Sequence, residues 1–108
     1  MRLQPLPFAQ IRDGTKTIET RLYDEKRRTI AVGDTIEFSN LDDPDQNVTV
    51  RVLALLNFKT FSDLFDAFPA EAFGGKDKDD LMGIYKYYAK EDEEKYTVLG
   101  IKIEPIHL

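Results

Sequence analysis

The fold is decided by residues 13–22, which read DGTKTIETRL. The first two residues predict a turn, and the remainder predict a short strand over Thr17–Leu22. Side chains alternate between the faces of a strand, so Glu19 and Arg21 share one face, while Lys16 stands at the entrance of the other, mostly apolar face. The Cβ atoms of residues two apart lie roughly 7 Å from each other. Glu19 and Arg21 are therefore expected to pair, or to clamp one polar ligand between them.

The composition predicts one domain without cross-links. The chain has 108 residues, 42% of them hydrophobic, which suits a single domain over residues 1–108 with one modest core. It contains no cysteine, which excludes a disulfide and favours the reducing cytoplasm as its location. The first residues lack the apolar segment of a signal peptide, and no apolar run approaches the ~20 residues of a spanning helix. A membrane partner is therefore not expected.

The charge distribution narrows the choice of partners. A formal net charge of −5 argues against a broad nucleic-acid surface, because affinity for a phosphate backbone comes from many cationic contacts. Residues 1–28, however, carry seven Lys or Arg and four acidic residues, a net charge of +3. Residues 29–108 carry eight Lys or Arg and sixteen acidic residues, a net charge of −8. The sequence thus permits a local cationic site for a phosphate, nucleotide or short RNA, with a mixed solvated surface as the alternative.

Periodicity predicts a short helix before the opening stretch and further elements after it. The helix follows two prolines and ends at Gly14. Alternating runs predict strands, and apolar stripes at i, i+3 and i+4 predict helices. The predicted strands span 35–39, 48–58 and 96–104; the predicted helices span 60–68 and 77–88, with a polar hairpin loop at 40–47 and a charged turn or short helix at 90–95. This order predicts an α+β fold, a small, partly closed barrel flanked by helices.

Most of the common catalytic constellations are excluded. The single histidine, His107, stands next to the last residue and is expected to be inert, so neither a histidine triad nor a multi-histidine metal site can be assembled. The chain has no P-loop and no dinucleotide-binding glycine motif. The aspartates at 40–47 lack the glycine and the distal glutamate of a calcium loop. Neither a metal nor a cofactor is therefore expected.

Lys16 and Glu19 are the candidate catalytic residues. A buried lysine can lose its proton and act as a base, and a carboxylate beside it can shuttle a proton. The alternative is a salt bridge that only fixes the turn at Gly14. The same choice applies to residues 26–28, Lys26, Arg27 and Arg28, which form either a phosphate clamp beside the site or a solvated loop.

Three tyrosines follow in the predicted helix at 77–88. Tyr85 and Tyr88 lie on its apolar stripe and are expected in the core. Tyr87 lies off that stripe and is expected to be exposed. An exposed aromatic ring can stack on a nucleic-acid base, so Tyr87 is a candidate binding residue.

Several short blocks, taken together, resemble the ASCH domain of the PUA-like group over nearly the whole chain. They are Gly14-x-Lys16-Thr17-Ile18-Glu19-x-Arg21, Val32-Gly33-Asp34-x-Ile36-x-Phe38, Lys59-x-Phe61-x-x-Leu64, Phe73-Gly74-Gly75 and Tyr96-x-Val98-Leu99-Gly100-Ile101. The resemblance implies an α+β PUA-like small mixed β-barrel of about five strands, flanked by two to four helices. It also implies a cleft beside the helices and a role near RNA or modified nucleosides.

One branch of that family comprises small amidohydrolases that deacetylate acetylcytidine with a lysine, a threonine three residues later, and a glutamate near the last helix. The lysine corresponds to Lys16, but Glu19 stands where the threonine would be, and the nearest hydroxyls belong to Thr17 and Thr20. Glu71 and Asp77 are the nearest acids for the third role. This departure favours binding, or a different reaction with Glu19 as the base.

The sequence therefore predicts a protein that binds RNA, a nucleotide or a modified nucleoside in a cleft lined by Lys16, Glu19 and Arg21. In this reading Arg21 holds a phosphate or a base edge, and Glu19 reads an amino group or positions Arg21. The further basic residues expected near the cleft are Lys26, Arg27, Arg28 and Lys59. The alternative is a small hydrolase, a nucleoside amidohydrolase or ribonuclease-like enzyme, that uses Lys16 and Glu19. A purely structural or protein-partner role is the third hypothesis.

Overall fold

A computed structural model describes residues 1–106, so His107 lies outside the described residues. The strands are β1 (Arg2–Leu3), β2 (Ile18–Leu22), β3 (Thr35–Asn40), β4 (Asp43–Phe58) and β5 (Val98–Pro105). The α-helices are α1 (Pro5–Arg12), α2 (Phe61–Ala67), α3 (Lys78–Leu81) and α4 (Lys90–Tyr96). Short 3-10 helices span Arg27–Thr29, Ala70–Phe73 and Met82–Lys86. No helix within residues 1–106 is long and apolar enough to cross a membrane.

The five strands form one curled sheet, a half-barrel, in the order β1-β3-β4-β5-β2. The β1–β3 pair is parallel, and the other three pairs are antiparallel. The two edge strands are linked by a side chain, because Arg21 Nη2 on β2 donates a hydrogen bond of 3.1 Å to the carbonyl of Arg2 on β1. The predicted α+β fold with about five strands and two to four helices is confirmed.

Helices cover the sheet through two clusters of buried side chains. α1 contributes Phe8 and Ile11, which pack with residues of β3, β4 and β5 such as Phe38. α2 contributes Phe61 and Leu64, which pack with the start of β5 and with β2. Burying each large apolar side chain stabilises the fold by about 1.5–3 kcal/mol, so these two helices hold the half-barrel in shape.

The structure corrects two predicted elements. The single helix predicted over 77–88 is instead α3 followed by the 3-10 helix Met82–Lys86. Its residues from Leu81 to Tyr85 are only partly buried, so they do not form the continuous buried stripe of a core helix. The predicted loop at 40–47 is a tight turn, because β4 already begins at Asp43. Residues 43–47 are exposed and polar, so the strand carries no apolar alternation there.

The charged segment predicted at 90–95 as a turn or short helix is the helix α4, and it carries one buried acid. Glu93 is 7% exposed. Its carboxylate accepts a hydrogen bond of 2.8 Å from the backbone N–H of Phe61, the first residue of α2. It also accepts one from the hydroxyl of Tyr85, at 2.9 Å to the nearer oxygen. Glu93 therefore satisfies a free N–H at the start of α2, and sequence composition alone did not distinguish it from its exposed neighbours.

Replacing Glu93 with alanine is expected to lower the free energy of unfolding by about 2 kcal/mol, because a buried N–H and a phenol would lose a charged acceptor. Urea unfolding followed by circular dichroism measures the change. Glu94→Ala is the matched control, since Glu94 is exposed on the same helix and should change stability by less than about 0.5 kcal/mol. Equal effects of the two substitutions would contradict the assigned role of Glu93.

Candidate functional site

A cleft of about 480 Å³ lies where the edge strands β1 and β2 approach each other. One side is formed by β1 and β2, and the facing side by α3 and the 3-10 helix after it. This volume falls in the range of roughly 300–1,000 Å³ that is typical of small-molecule sites. The residues that matter for its chemistry are Arg2, Lys16, Glu19, Thr20, Arg21, Asp80, Lys86, Tyr87 and Tyr88.

Glu19 lies at the base of the cleft and is 4% exposed. Its Oε1 lies 2.9 Å from Lys16 Nζ and accepts a hydrogen bond of 3.1 Å from the backbone N–H of Thr20. Its Oε2 accepts bonds of 3.2 Å from Arg21 Nε and 3.0 Å from Arg21 Nη2. Both carboxylate oxygens are thus engaged, and the predicted pairing of Glu19 with Arg21 is present.

The pKa values around Glu19 reflect burial and charge acting against each other. Burial raises the pKa of Glu19, but the charges and hydrogen bonds of Lys16 and Arg21 outweigh burial and bring that pKa below its ordinary value. Burial lowers the pKa of Arg21, but Glu19 and, to a lesser extent, Tyr88 outweigh burial, so the pKa of Arg21 lies above its ordinary value. Glu19 is therefore a firmly ionised carboxylate and Arg21 a permanent cation.

Lys16 reaches Glu19 by a route that strand alternation did not predict. It was expected at the entrance of the apolar face, but β2 begins only at Ile18, so Lys16 belongs to the preceding turn. The carbonyl of Gln10 in α1 accepts a hydrogen bond of 3.1 Å from the Lys16 N–H. Gly14, with a φ of +80°, reverses the chain just before this bond. The turn and the bond together place the Lys16 side chain next to Glu19.

The two neighbouring tyrosines have different places in the cleft. Tyr87 is 71% exposed on the rim, as expected from its position off the apolar stripe. Tyr88 stacks on Phe61 with ring centroids 5.5 Å apart, as expected for a core residue, yet it also lines the cleft. The Tyr88 hydroxyl lies beside the Arg21 guanidinium. Burial raises the pKa of Tyr88, although the charge of Arg21 acts to lower it. The position of Tyr88 on the apolar stripe did not predict that it would also line the cleft.

The structure places the other predicted basic residues outside the cleft lining. Arg27 pairs with Asp24 at 3.2 Å, and Arg28 stacks over the ring of Tyr23 at 4.2 Å. Lys26 is exposed at the start of the same 3-10 helix. Lys59 lines a separate depression beside α4. Within residues 1–106 none of these four side chains lines the cleft, although the Arg27 charge still reaches Tyr88 and acts to lower the pKa of that phenol against the effect of burial.

Other charged residues line the cleft instead. Arg2 and Lys86 supply cations that the sequence did not single out. The acid on the wall is Asp80, whereas Asp77 caps α3 by accepting a hydrogen bond of 2.9 Å from the Asp80 N–H. Glu71, the other candidate third acid, is exposed in the 3-10 helix at 70–73. No group of side chains suited to hold a metal ion occurs within residues 1–106.

A five-strand half-barrel with flanking helices and a cleft at its open edge defines the class of PUA-like domains. The chain belongs to the ASCH domain family, whose model matches residues 1–107. The predicted resemblance is therefore confirmed. This family is PUA-like and is associated with RNA binding.

Two solved structures are similar to the chain over almost its whole length. The crystal structure of hypothetical protein PH0355 is 35% identical, has a TM-score of 0.85, and covers 98% of this chain and 96% of its own. The solution NMR structure of protein PF0455 from Pyrococcus furiosus is 33% identical, has a TM-score of 0.74, and covers 100% and 96%. No curated protein matches the chain. The similarity thus shows the family and the fold of the chain.

Proposed function

We propose that the cleft binds RNA, a nucleotide or a modified nucleoside. The observation that carries this proposal is a local inversion of charge. The ionisable Lys, Arg, Asp and Glu residues that line the cleft are Arg2, Lys16, Arg21, Lys86, Glu19 and Asp80. Four are basic and two are acidic, a formal charge of +2 on a chain whose net charge is −5. A cationic cleft on an acidic protein attracts a single anionic group locally without binding nucleic acid over the whole surface.

The apolar part of the lining supports a base in the same cleft. Leu41, Phe65 and Ile84 contribute apolar surface between the charged groups. The ring of Tyr87 projects at the rim, where a base can stack on it from solvent. An apolar pocket with a few convergent polar groups is the usual form of a ligand site, and the combination of cations with an exposed ring suits a nucleotide.

The state of Glu19 favours a binding role over general base catalysis. A base must accept a proton, and both oxygens of Glu19 already accept hydrogen bonds from cations or backbone. The lowered pKa of Glu19 further reduces its basicity. The hydrolase alternative then depends on Lys16 as an electrostatic stabiliser of a nucleoside amide or a phosphodiester, and it remains the second candidate.

Thermal-shift measurements against nucleosides, nucleotides and short RNAs test the proposal. We expect at least one of these classes to raise the melting temperature, and we expect Arg21→Lys to weaken that effect because it removes the bidentate fork. A flat panel for folded protein would refute binding at the concentrations used. Mass analysis of acetylcytidine and short RNA after incubation tests the alternative, since a mass change would establish a hydrolase.

Replacing Tyr87 with alanine is expected to weaken binding by about 1–3 kcal/mol, the usual contribution of one base–aromatic stack. The side chain is exposed, so the stability of the free protein should change by less than about 0.5 kcal/mol. Titration calorimetry with a nucleotide identified in the thermal-shift panel measures the loss. Tyr87→Phe is the control, because phenylalanine keeps the stacking face. Unchanged affinity in the alanine variant would remove Tyr87 from the site.

A further inference from the structure

The base of the cleft holds an excess of positive charge that is largely withdrawn from water. The side chains of Lys16 and Arg21 are 11% and 15% exposed, and within residues 1–106 both pair with the single carboxylate of Glu19. Two cations beside one anion leave one uncompensated positive charge. Withdrawing an uncompensated charge from water is unfavourable, so this arrangement is suited to receive a further anion.

The polar groups around that charge are mostly hydrogen-bond donors. An ammonium has three donors and no acceptor, and one Lys16 contact within the described chain is with Glu19 Oε1. Arg21 uses Nε and Nη2 for Glu19 and for the Arg2 carbonyl. The Tyr88 hydroxyl, which lies beside Arg21, can donate as well. A group that enters here must therefore present acceptors.

The two paired cations lie deeper in the cleft than the residues at its rim. Tyr87 is 71% exposed, and Arg2 and Lys86 are exposed too, whereas Lys16 and Arg21 lie deeper. An internal phosphodiester carries chain on both sides, which hinders its entry into a recess. A terminal phosphate monoester enters end first, and its charge of about −1.5 to −2 at pH 7 exceeds the single charge of a diester.

We infer that the bottom of the cleft binds the terminal phosphate monoester of a nucleotide or of an RNA end. Lys16 and Arg21 hold this phosphate, while the nucleobase stacks on Tyr87. This inference rests on the proposed function and specifies the chemical class of its ligand. Glu19 is then a positioning residue, which aligns the two cations and limits their charge. It does not read an amino group, because both of its oxygens are engaged.

Calorimetric titration of the wild-type protein tests the inference directly. The probes are the four nucleosides, their 5′- and 3′-monophosphates, inorganic phosphate, and six-nucleotide RNAs with and without a terminal phosphate. We expect at least one monophosphate to bind about 10- to 100-fold more tightly than its nucleoside. We also expect phosphorylated RNA to bind more tightly than unphosphorylated RNA, and inorganic phosphate to compete.

Substitutions sharpen the test. Lys16→Met should bring the affinity for the monophosphate down towards that for the nucleoside, while Lys102→Met, an exposed lysine outside the cleft lining, should leave the ratio unchanged. Glu19→Gln should increase phosphate affinity several-fold where the variant is folded, since the internal counter-charge is gone. A merely structural role of Glu19 would instead predict weaker binding.

Two outcomes overturn the inference in different ways. A nucleoside or unphosphorylated RNA that binds as tightly as its phosphorylated form would leave the proposed function standing and refute the terminal-phosphate site. Failure of every probe to bind would refute both. The comparison of nucleoside with monophosphate uses the wild-type protein, so it decides the question even where a variant does not fold.

Discussion

Substitution of Glu19 by glutamine is expected to lower the free energy of unfolding by about 3–5 kcal/mol at pH 7, the usual effect of removing one partner from a buried ion pair. The variant leaves Lys16 and Arg21 close together and largely buried without their shared counter-ion. It also replaces an acceptor-only group by an amide, whose NH₂ would face a cation. Denaturant unfolding measures this loss, which should exceed that of any other single polar substitution in the cleft.

The pH dependence of stability gives an independent check. The folded-state pKa of Glu19 lies below its ordinary value of 4.5, so between those two values the unfolded chain binds the proton more readily. The stabilisation by ionised Glu19 is therefore fully present above about pH 4.5 and is lost as the pH falls through the folded-state pKa. The difference in stability between wild type and Glu19→Gln should shrink over that acid range.

Glu104→Gln is the matched control, because Glu104 is an exposed glutamate on β5. It should change stability by less than about 0.5 kcal/mol and should not reproduce the acid-dependent difference. A difference between wild type and Glu19→Gln that stays constant from pH 7 to the acid range would contradict the role assigned to the ionised carboxylate.

Substitution of Gly74 by alanine is expected to cost about 1.5–3.5 kcal/mol of stability, because two effects add. Gly74 has a φ of +82°, a conformation that costs an L-residue about 1–2 kcal/mol. A Cβ there would also collide with the side-chain amide of Gln10. That amide donates a hydrogen bond of 2.9 Å to the Gly74 carbonyl, so moving it aside breaks a contact between α1 and the segment after Phe73 and adds about 0.5–1.5 kcal/mol.

Gly33→Ala separates the two effects. Gly33 has a φ of +92°, but no atom lies within 4 Å of an added Cβ, so only the conformational cost of about 1–2 kcal/mol applies. Thermal and urea unfolding of both variants should rank Gly74→Ala as the less stable. The opposite ranking would show that Gln10 adapts to the methyl group without loss.

The same Gln10 residue links stability to the site. Its backbone carbonyl holds the N–H groups of Thr15 and Lys16, while its side chain holds Gly74. If the backbone of Gln10 moves together with its side chain in Gly74→Ala, the turn that carries Lys16 is displaced and the proposed phosphate binding is weakened as well. Gly33→Ala leaves this turn in place.

The sequence predicted those parts of the site that depend on neighbours along the chain. Alternation along β2 correctly paired Glu19 with Arg21, and the glycine at 14 correctly marked the turn before it. Alternation gave the wrong position for the Lys16 side chain, because Lys16 precedes β2 and its N–H is bonded to the Gln10 carbonyl of α1. The family blocks then supplied the half-barrel, which periodicity alone described only as a partly closed barrel.

The remaining parts depend on contacts between residues far apart in the chain. Arg2 joins the cleft because the two-residue strand β1 pairs with β3, and two residues carry no periodic signal. Lys86 and Tyr88 reach it because α3 gives way to a 3-10 helix. Residues 26–28 are close to Lys16 in sequence but do not line the cleft, because Arg27 pairs with Asp24, Arg28 stacks on Tyr23, and Lys26 is exposed.

The hydrogen bond between the Thr20 N–H and Glu19 also bears on the exposed edge of the sheet. β2 is the last strand of its sheet, and a free strand edge is a template on which another chain can add a strand. Glu19 occupies a donor on that strand and places a charge beside it. The groove therefore lies next to an edge strand on which one backbone donor is already occupied, and the charge beside it disfavours pairing with a second copy.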